Sequence, residues 1–125
     1  GMTVLDPMCG AGTILAETLD VARTRRGDRV RVLGGDIDPN AVFVTSQNLE
    51  KVGKAGLARW DATALPLATG SVDRVVSNPP FGKQLASLDE IGPLYAAAAR
   101  EWDRVLKPGG RAVLLVMEFD ALQPP

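Results

Sequence analysis

Ser77-Asn78-Pro79-Pro80-Phe81 is a run whose residue types suit a planar amine. An amino group on a nucleobase or an amide is a poor nucleophile, because its lone pair is delocalised into the π system. Two acceptors around the nitrogen hold its hydrogens and favour the pyramidal geometry that localises the pair. Asn78 Oδ1 offers one acceptor and the Pro79 carbonyl the other, and neither Pro79 nor Pro80 carries a competing N–H. Phe81 offers a face on which a flat substrate can stack. Catalysis of this kind is orientation plus electrostatics, an in-line displacement without a strong general base. The chain contains no histidine, which agrees with that chemistry and excludes histidine triads and histidine metal sites within it. Alone, Asn-Pro-Pro reads as a rigid loop; the upstream pattern favours chemistry.

That pattern is Asp6-Pro7-Met8-Cys9-Gly10-Ala11-Gly12, followed by Thr13. Gly10 and Gly12 let backbone approach a ligand with no Cβ in the way. Leu15 stands where a dinucleotide fingerprint requires its third glycine, and no Gly-Lys-Ser/Thr of a phosphate loop follows. Asp6 at the loop entrance repels a pyrophosphate but suits a cation such as the ammonium and sulfonium of S-adenosylmethionine. Asp36 lies at about the spacing of an acid that accepts from ribose hydroxyls. Asp38 precedes Pro39 and is better read as a helix N-cap. Ile37 is placed to pack on adenine, and Asp61 to accept from its amino group, although Asp61 alone would read as a turn residue. Cys9 has no histidine to activate it, so packing against the ligand is preferred to nucleophilic work. No metal ligand set is apparent.

The elements that must position these residues alternate. Thr3–Asp6 reads as a buried strand and Thr13 to about Arg23 as a helix with Ile14, Leu15, Thr18, Leu19 and Ala22 on one side. A second strand covers Arg29–Asp36. A helix follows from Pro39 to about Lys51, expected to bury Val42, Phe43, Leu49 and Val52. Leu57–Asp61 is a third strand, 62–71 a loop, and Val72–Ser77 a fourth strand ended by the prolines. Pro93–Leu106 is a helix around Leu94, Tyr95, Ala98, Trp102, Val105 and Leu106. Lys107-Pro108-Gly109-Gly110 turns into a fifth strand, Arg111–Phe119. Such alternation predicts one α/β domain over 2–125, Rossmann-like and doubly wound. Its mostly parallel sheet lies in a three-layer α/β/α arrangement, with ligands at the carboxyl ends of the strands. Asp6, Asp36, Asp61 and Asn78 are each expected to close a strand.

Asp6 to Thr13, Gly35-Asp-Ile-Asp-Pro-Asn-Ala41 and Ser77-Asn-Pro-Pro-Phe-Gly-Lys83 together resemble the class I S-adenosylmethionine-dependent methyltransferases. More narrowly, they resemble the catalytic domain of the THUMP-associated RNA guanine-N2 methyltransferases acting on tRNA and 23S rRNA. The resemblance runs from Thr3 to Phe119. It implies S-adenosylmethionine contacts at Asp6, Gly10, Gly12, Asp36, Ile37 and Asp61, with Pro7, Cys9, Thr13 and Asn78 completing the set. It implies the substrate amine at Asn78, Pro79, Pro80 and Phe81. Adenine N6 or a protein glutamine amide would fit the same Asn-Pro-Pro-aromatic run. A non-catalytic remnant of the cofactor fold is the rival from another class. The family's RNA-binding region and its usual last hairpin have no counterpart here, so truncation after the fifth strand is expected, with RNA delivered by a region outside this chain.

Bulk properties fit a soluble globular domain: 125 residues, 46% hydrophobic, 23% charged. A formal net charge of −1 gives no general attraction to nucleic acid. One cysteine excludes an internal disulfide and fits a reducing cytoplasm, and no apolar run could span a membrane. Gly1 before Met2 reads as a residue left by cloning. Arg23, Arg25, Arg26, Arg29 and Arg31 read as a solvated helix end rather than an RNA surface, while Lys83, beside the Asn78 loop, is placed to meet a phosphate. Trp60 and Trp102 read as packing residues. The fifth strand is apolar on both faces, and as a sheet edge it predicts pairing with a second copy.

Overall fold

The computed structural model describes residues 1–24, 29–78 and 88–114. Its strands are β1 (Met2–Asp6), β2 (Val30–Asp36), β3 (Gly56–Arg59), β4 (Val72–Ser77) and β5 (Leu106–Leu114). Its helices are α1 (Thr13–Thr24), α2 (Pro39–Leu49) and α3 (Leu88–Val105). The sheet runs β3-β2-β1-β4-β5, and every described pairing is parallel. The Rossmann-like α/β expectation is met. From β1 the chain winds outward through β2 to β3, then crosses to β4 on the other side of β1. The sheet therefore has its topological switch between β1 and β4, where open α/β sheets leave a crevice for ligands.

Alternation along β2 shows how the layers form. Val32 packs with Leu15 and Leu19 of α1 and Leu49 of α2, while Leu33 packs towards Trp60, Leu65, Ala98, Trp102 and Val105 on the other face. Gly34 and Gly35 continue the alternation. A Cβ on Gly34 would stand 2.4 Å from Leu15 Cδ1, and one on Gly35 would stand 2.3 Å from Trp60 Cε2. The two glycines thus let α1 and the Trp60 ring close directly onto β2 backbone, where Asp36 begins the site. Trp60 and Trp102 are buried, as packing residues should be.

Local signals explain most boundaries. Asp38 caps α2, its Oδ1 accepting from Asn40 N at 2.9 Å, with Pro39 at the first helical position. The core face of α2 is Thr45 and Leu49, while Phe43 is 59% exposed, against expectation. The cap fixes the helix phase, and the 45/49 spacing turns Phe43 outward. The third helix begins at Leu88 rather than Pro93, which lies inside it. Pro93 lies past the first turn, whose N–H groups have no intrahelical partner, so the helix accommodates it at the cost of one main-chain bond. Ala98, Trp102 and Val105 are buried as expected, but Leu94 and Tyr95 are exposed.

The third strand is shorter than expected and ends at Arg59, leaving Asp61 beyond it. The fifth begins directly after α3 at Leu106 and includes the Lys107–Gly110 turn as an irregularity. Leu106 pairs with Val72 and Arg111 with Arg74, so the intervening residues of β5 bulge, with Gly109 at φ 82°. Residues 115–119 of the expected strand lie outside the described residues. Among the described residues no helix is long and apolar enough to cross a membrane.

Gly35→Ala tests the close approach of Trp60. The added methyl meets both the indole and the Ala58 carbonyl, which lies 2.5 Å from its position. Overpacking against backbone is expected to cost about 3 kcal/mol in urea unfolding. An unchanged midpoint would mean that Trp60 does not seat on this strand.

Candidate active site

Parallel register brings the strand ends together. Leu5 of β1 lies beside Leu33 of β2 and Val75 of β4, so Asp6, Asp36 and Ser77 end neighbouring strands at the carboxyl end of the sheet. Asp6 is only 1% exposed. Its Oδ1 accepts from Met8 N at 3.2 Å. Burial pushes its carboxyl from an ordinary 3.8 up to about 7; the Met8 N–H opposes that shift and the Asp36 charge adds to it. The ion pairs among the described residues are Glu101–Arg104 and Lys107–Asp73, so no lysine or arginine there neutralises Asp6.

Asp36 is tied to backbone. Its Oδ2 accepts from Gly10 N and its Oδ1 from Asp38 N, both at 3.0 Å. One carboxylate thus joins the glycine turn to the end of β2. Gly10 and Gly12 have φ of 52° and 87°. A Cβ on Gly10 would meet nothing within 4 Å, whereas one on Gly12 would stand 2.7 Å from Thr45 Cγ2. The two glycines differ in kind: Gly10 faces open space, and Gly12 is pressed against α2.

The other expected contacts fall around this turn. Pro7 is buried, and its carbonyl accepts from Trp60 Nε1 at 3.0 Å. Cys9 is buried, with its Sγ 3.6 Å from Thr45 Oγ1. Burial pushes its thiol up to about 11, so it is a packing group without nucleophilic character. Thr13 is exposed at the first residue of α1. Ile37 is 58% exposed just beyond β2, and its carbonyl accepts from Arg59 Nε at 2.9 Å. Asp61 is exposed; its Oδ1 accepts from both Thr63 Oγ1 and Thr63 N, which holds its carboxyl below the usual range. That arrangement is a turn, and only Oδ2 is left without a partner among the described residues.

Asn78 is half-buried directly after β4, and its carboxamide makes no hydrogen bond within the described residues. The Ser77 hydroxyl before it is buried and likewise unpartnered there. Pro79, Pro80, Phe81 and Lys83 lie outside the described residues. Sequence reasoning missed Thr45 and Asn48 of α2. Thr45 Oγ1 donates to the Gly10 carbonyl at 2.7 Å, and Asn48 Nδ2 to the Ala11 carbonyl at 2.8 Å. Their three-residue spacing on a capped helix was visible, but a search for apolar faces passes over polar residues.

The result is a negatively charged, glycine-lined end of the sheet beside a carboxamide that has no hydrogen-bond partner among the described residues. The family whose model is described as UPF0020, RMKL-like, methyltransferase domain, matches residues 1–123. The chain belongs to this methyltransferase-domain family. It is similar, at 38% identity over 130 residues, to the tRNA (guanine(6)-N(2))-methyltransferase THUMP3 of Bos taurus, covering 92% of this chain and 25% of that protein. It is also similar to the U6 snRNA (guanine-N(2))-methyltransferase THUMPD2 of Homo sapiens, at 36% identity over 121 residues, covering 94% of this chain and 22% of the relative. The chain therefore spans about a quarter of the length of these curated relatives. Among solved structures, TrmN from Thermus thermophilus superposes with a TM-score of 0.75 at 32% identity, over 100% of this chain and 37% of that one.

The buried acid has a measurable consequence. Unfolded, Asp6 titrates near 3.8; folded, it titrates at about 7, so between these values the folded domain binds more protons. Stability is expected to fall as pH rises from about 4 to about 7 and to level above that, with a ceiling of ~4 kcal/mol. Asp61, Asp73 and Glu101 are shifted downward, so they add stability as pH rises through their unfolded values of 3.8, 3.8 and 4.5, at the lower end of this window, and oppose the Asp6 slope only there. Urea unfolding between pH 4.5 and 7.5 should show the slope, and Asp6→Asn should flatten it. Equal slopes in both proteins would place Asp6 in water.

Proposed function

We propose that this domain transfers the methyl group of S-adenosylmethionine to an exocyclic amino nitrogen of a nucleobase in RNA, namely guanine N2 in tRNA or rRNA. The observation that carries the reading is the Asp6–Asp36 pair. Two carboxylates end adjacent strands beside an open glycine turn, one of them buried, and no described cationic side chain answers them. A donor bearing an ammonium and a sulfonium supplies the missing positive charge, and an adenosine needs the Cβ-free space at Gly10. The residues present therefore fit this cofactor, which when bound supplies an electrophilic methyl group.

The chain's own residues divide the remaining work. Asp6 meets the ammonium end, and Asp36 keeps lone pairs for ribose hydroxyls beyond the two backbone N–H groups it already accepts. Ile37 offers its exposed side chain to the adenine face, with Asp61 Oδ2 the acceptor for the adenine amino group. Pro7, Cys9, Gly10, Gly12 and Thr13 form the wall between them. Asn78 Oδ1 and the Pro79 carbonyl hold the two hydrogens of the guanine amino group, Pro80 stiffens the loop, and Phe81 stacks on the base. The nitrogen lone pair would form the new N–C bond as the methyl's S–C bond breaks with its electron pair going to the sulfonium sulfur, so that sulfur becomes a neutral thioether and the positive charge passes to nitrogen. One of its hydrogens then leaves to water as a proton.

The names of the relatives supply the guanine and the RNA: THUMP3 acts on tRNA and THUMPD2 on U6 snRNA. Delivery of RNA by a region outside this chain belongs to the same reading, because a net charge of −1 gives the domain no general hold on a polyanion. A single buried cysteine suits a reducing compartment, here the cytoplasm.

Asn78→Ala in the full-length protein is expected to lower methyl transfer by roughly a thousandfold while leaving cofactor affinity within about threefold. Asp36→Ala should instead weaken the cofactor by roughly tenfold or more. Transfer that survives the first change removes Asn78 from the chemistry; affinity that survives the second removes Asp36 from the ribose.

A further inference from the structure

The turn from Cys9 to Gly12 is almost fully accounted for by hydrogen bonds, and two of its partners come from one helix. Cys9 N donates to the Gly35 carbonyl at 2.9 Å, Gly12 N to the Cys9 carbonyl at 2.8 Å, and Ala16 N to the Gly12 carbonyl at 2.9 Å. Gly10 N donates to Asp36 Oδ2, while the Gly10 carbonyl accepts from Thr45 Oγ1 at 2.7 Å. The Ala11 carbonyl accepts from Asn48 Nδ2 at 2.8 Å. What remains among the described residues is a single backbone donor, the Ala11 N–H, on an exposed residue at the mouth of the turn.

Thr45 acts here with both branches of its side chain. Its hydroxyl fixes the Gly10 carbonyl, and its Cγ2 fills the space against Gly12 that a Cβ would need. It is fully buried, so its hydroxyl has no water to fall back on. A turn with two positive-φ residues has many alternatives when unsupported, because glycine leaves the backbone free. Locking each carbonyl away from the ligand side selects the alternative that keeps Ala11 N–H outward.

We propose that Thr45 is a positioning residue for the cofactor: with Asn48, it holds the 9–12 turn in the conformation that presents the Ala11 N–H to an acceptor group of the ligand. The inference rests on the S-adenosylmethionine reading, and it assigns α2, remote from the amine, a part in cofactor affinity. Thr45 touches no reacting atom.

The test is calorimetric titration of the chain with S-adenosylhomocysteine, alongside thermal melts. Thr45→Val keeps the shape and removes the hydroxyl, leaving the Gly10 carbonyl unpaired, and should weaken binding by about thirtyfold. Thr45→Ser restores the hydroxyl and should return affinity to within about threefold of the parent. Asn48→Ala, at an exposed position that cannot unhinge the core, should weaken binding by about fivefold. Leu49→Val, a core change in the same helix, should lower the melting temperature with affinity unchanged, which a merely structural role for α2 would not give. Parent-like affinity in both Thr45→Val and Asn48→Ala overturns the proposal while the cofactor reading stands. If Thr45→Val does not fold, Asn48→Ala decides alone. A parent protein that does not bind the ligand overturns the cofactor reading and this inference with it.

Discussion

The carboxylate of Asp36 accepts from Gly10 N–H and Asp38 N–H, and through those two bonds it joins the glycine turn, the end of β2 and the start of α2. Each neighbouring element is set against this junction. Asp38 caps α2, α2 returns Thr45 and Asn48 to the turn, and the turn opens α1. The cost of the arrangement falls on Asp6, whose carboxylate is buried one strand away from a like charge. Folding alone leaves that cost unrelieved, and in the proposed reading a cationic ligand relieves it. Stability and ligand affinity therefore oppose each other at this site, a common trade-off where binding depends on a group the fold would prefer neutral.

The sheet explains why these groups meet although 72 positions separate Asp6 from Asn78. Winding outward from β1 to β3 and then crossing to β4 puts the first and fourth strands side by side. Asp6 then ends β1 and Asn78 directly follows β4 at the switch point, the place where helices on opposite faces diverge and leave a crevice. Gly34 and Gly35 matter for the same reason. They let Leu15 and Trp60 close onto the last residues of β2, so that Asp36 is presented from the end of a packed strand.

Much of this was legible in the residues. The acids ending β1 and β2, the two-glycine turn and the Asp38-Pro39 helix start are local signals, and local signals survive folding. What the sequence did not disclose depends on three-dimensional phase. Phe43 looked like core because it is apolar, yet the cap rotates α2 so that Thr45 and Leu49 face inward. Pro93 looked like a helix start because proline favours first turns, yet the helix absorbs it in the second. Asp61 looked like a strand end, yet β3 stops at Arg59 and Thr63 draws its carboxylate into a turn. Thr45 and Asn48 were overlooked because their role is a hydrogen bond to main chain, which leaves no trace in hydropathy.

The central claim is that Asp6 is a buried acid waiting for a positive charge. Carbon-13 NMR titration of its carboxyl group in the chain, with and without saturating S-adenosylhomocysteine, measures this directly. The account predicts titration at about 7 without ligand. It also predicts a fall of roughly two units or more when the ligand ammonium arrives beside it. A carboxyl that titrates near its ordinary 3.8 and does not respond to ligand would contradict the account.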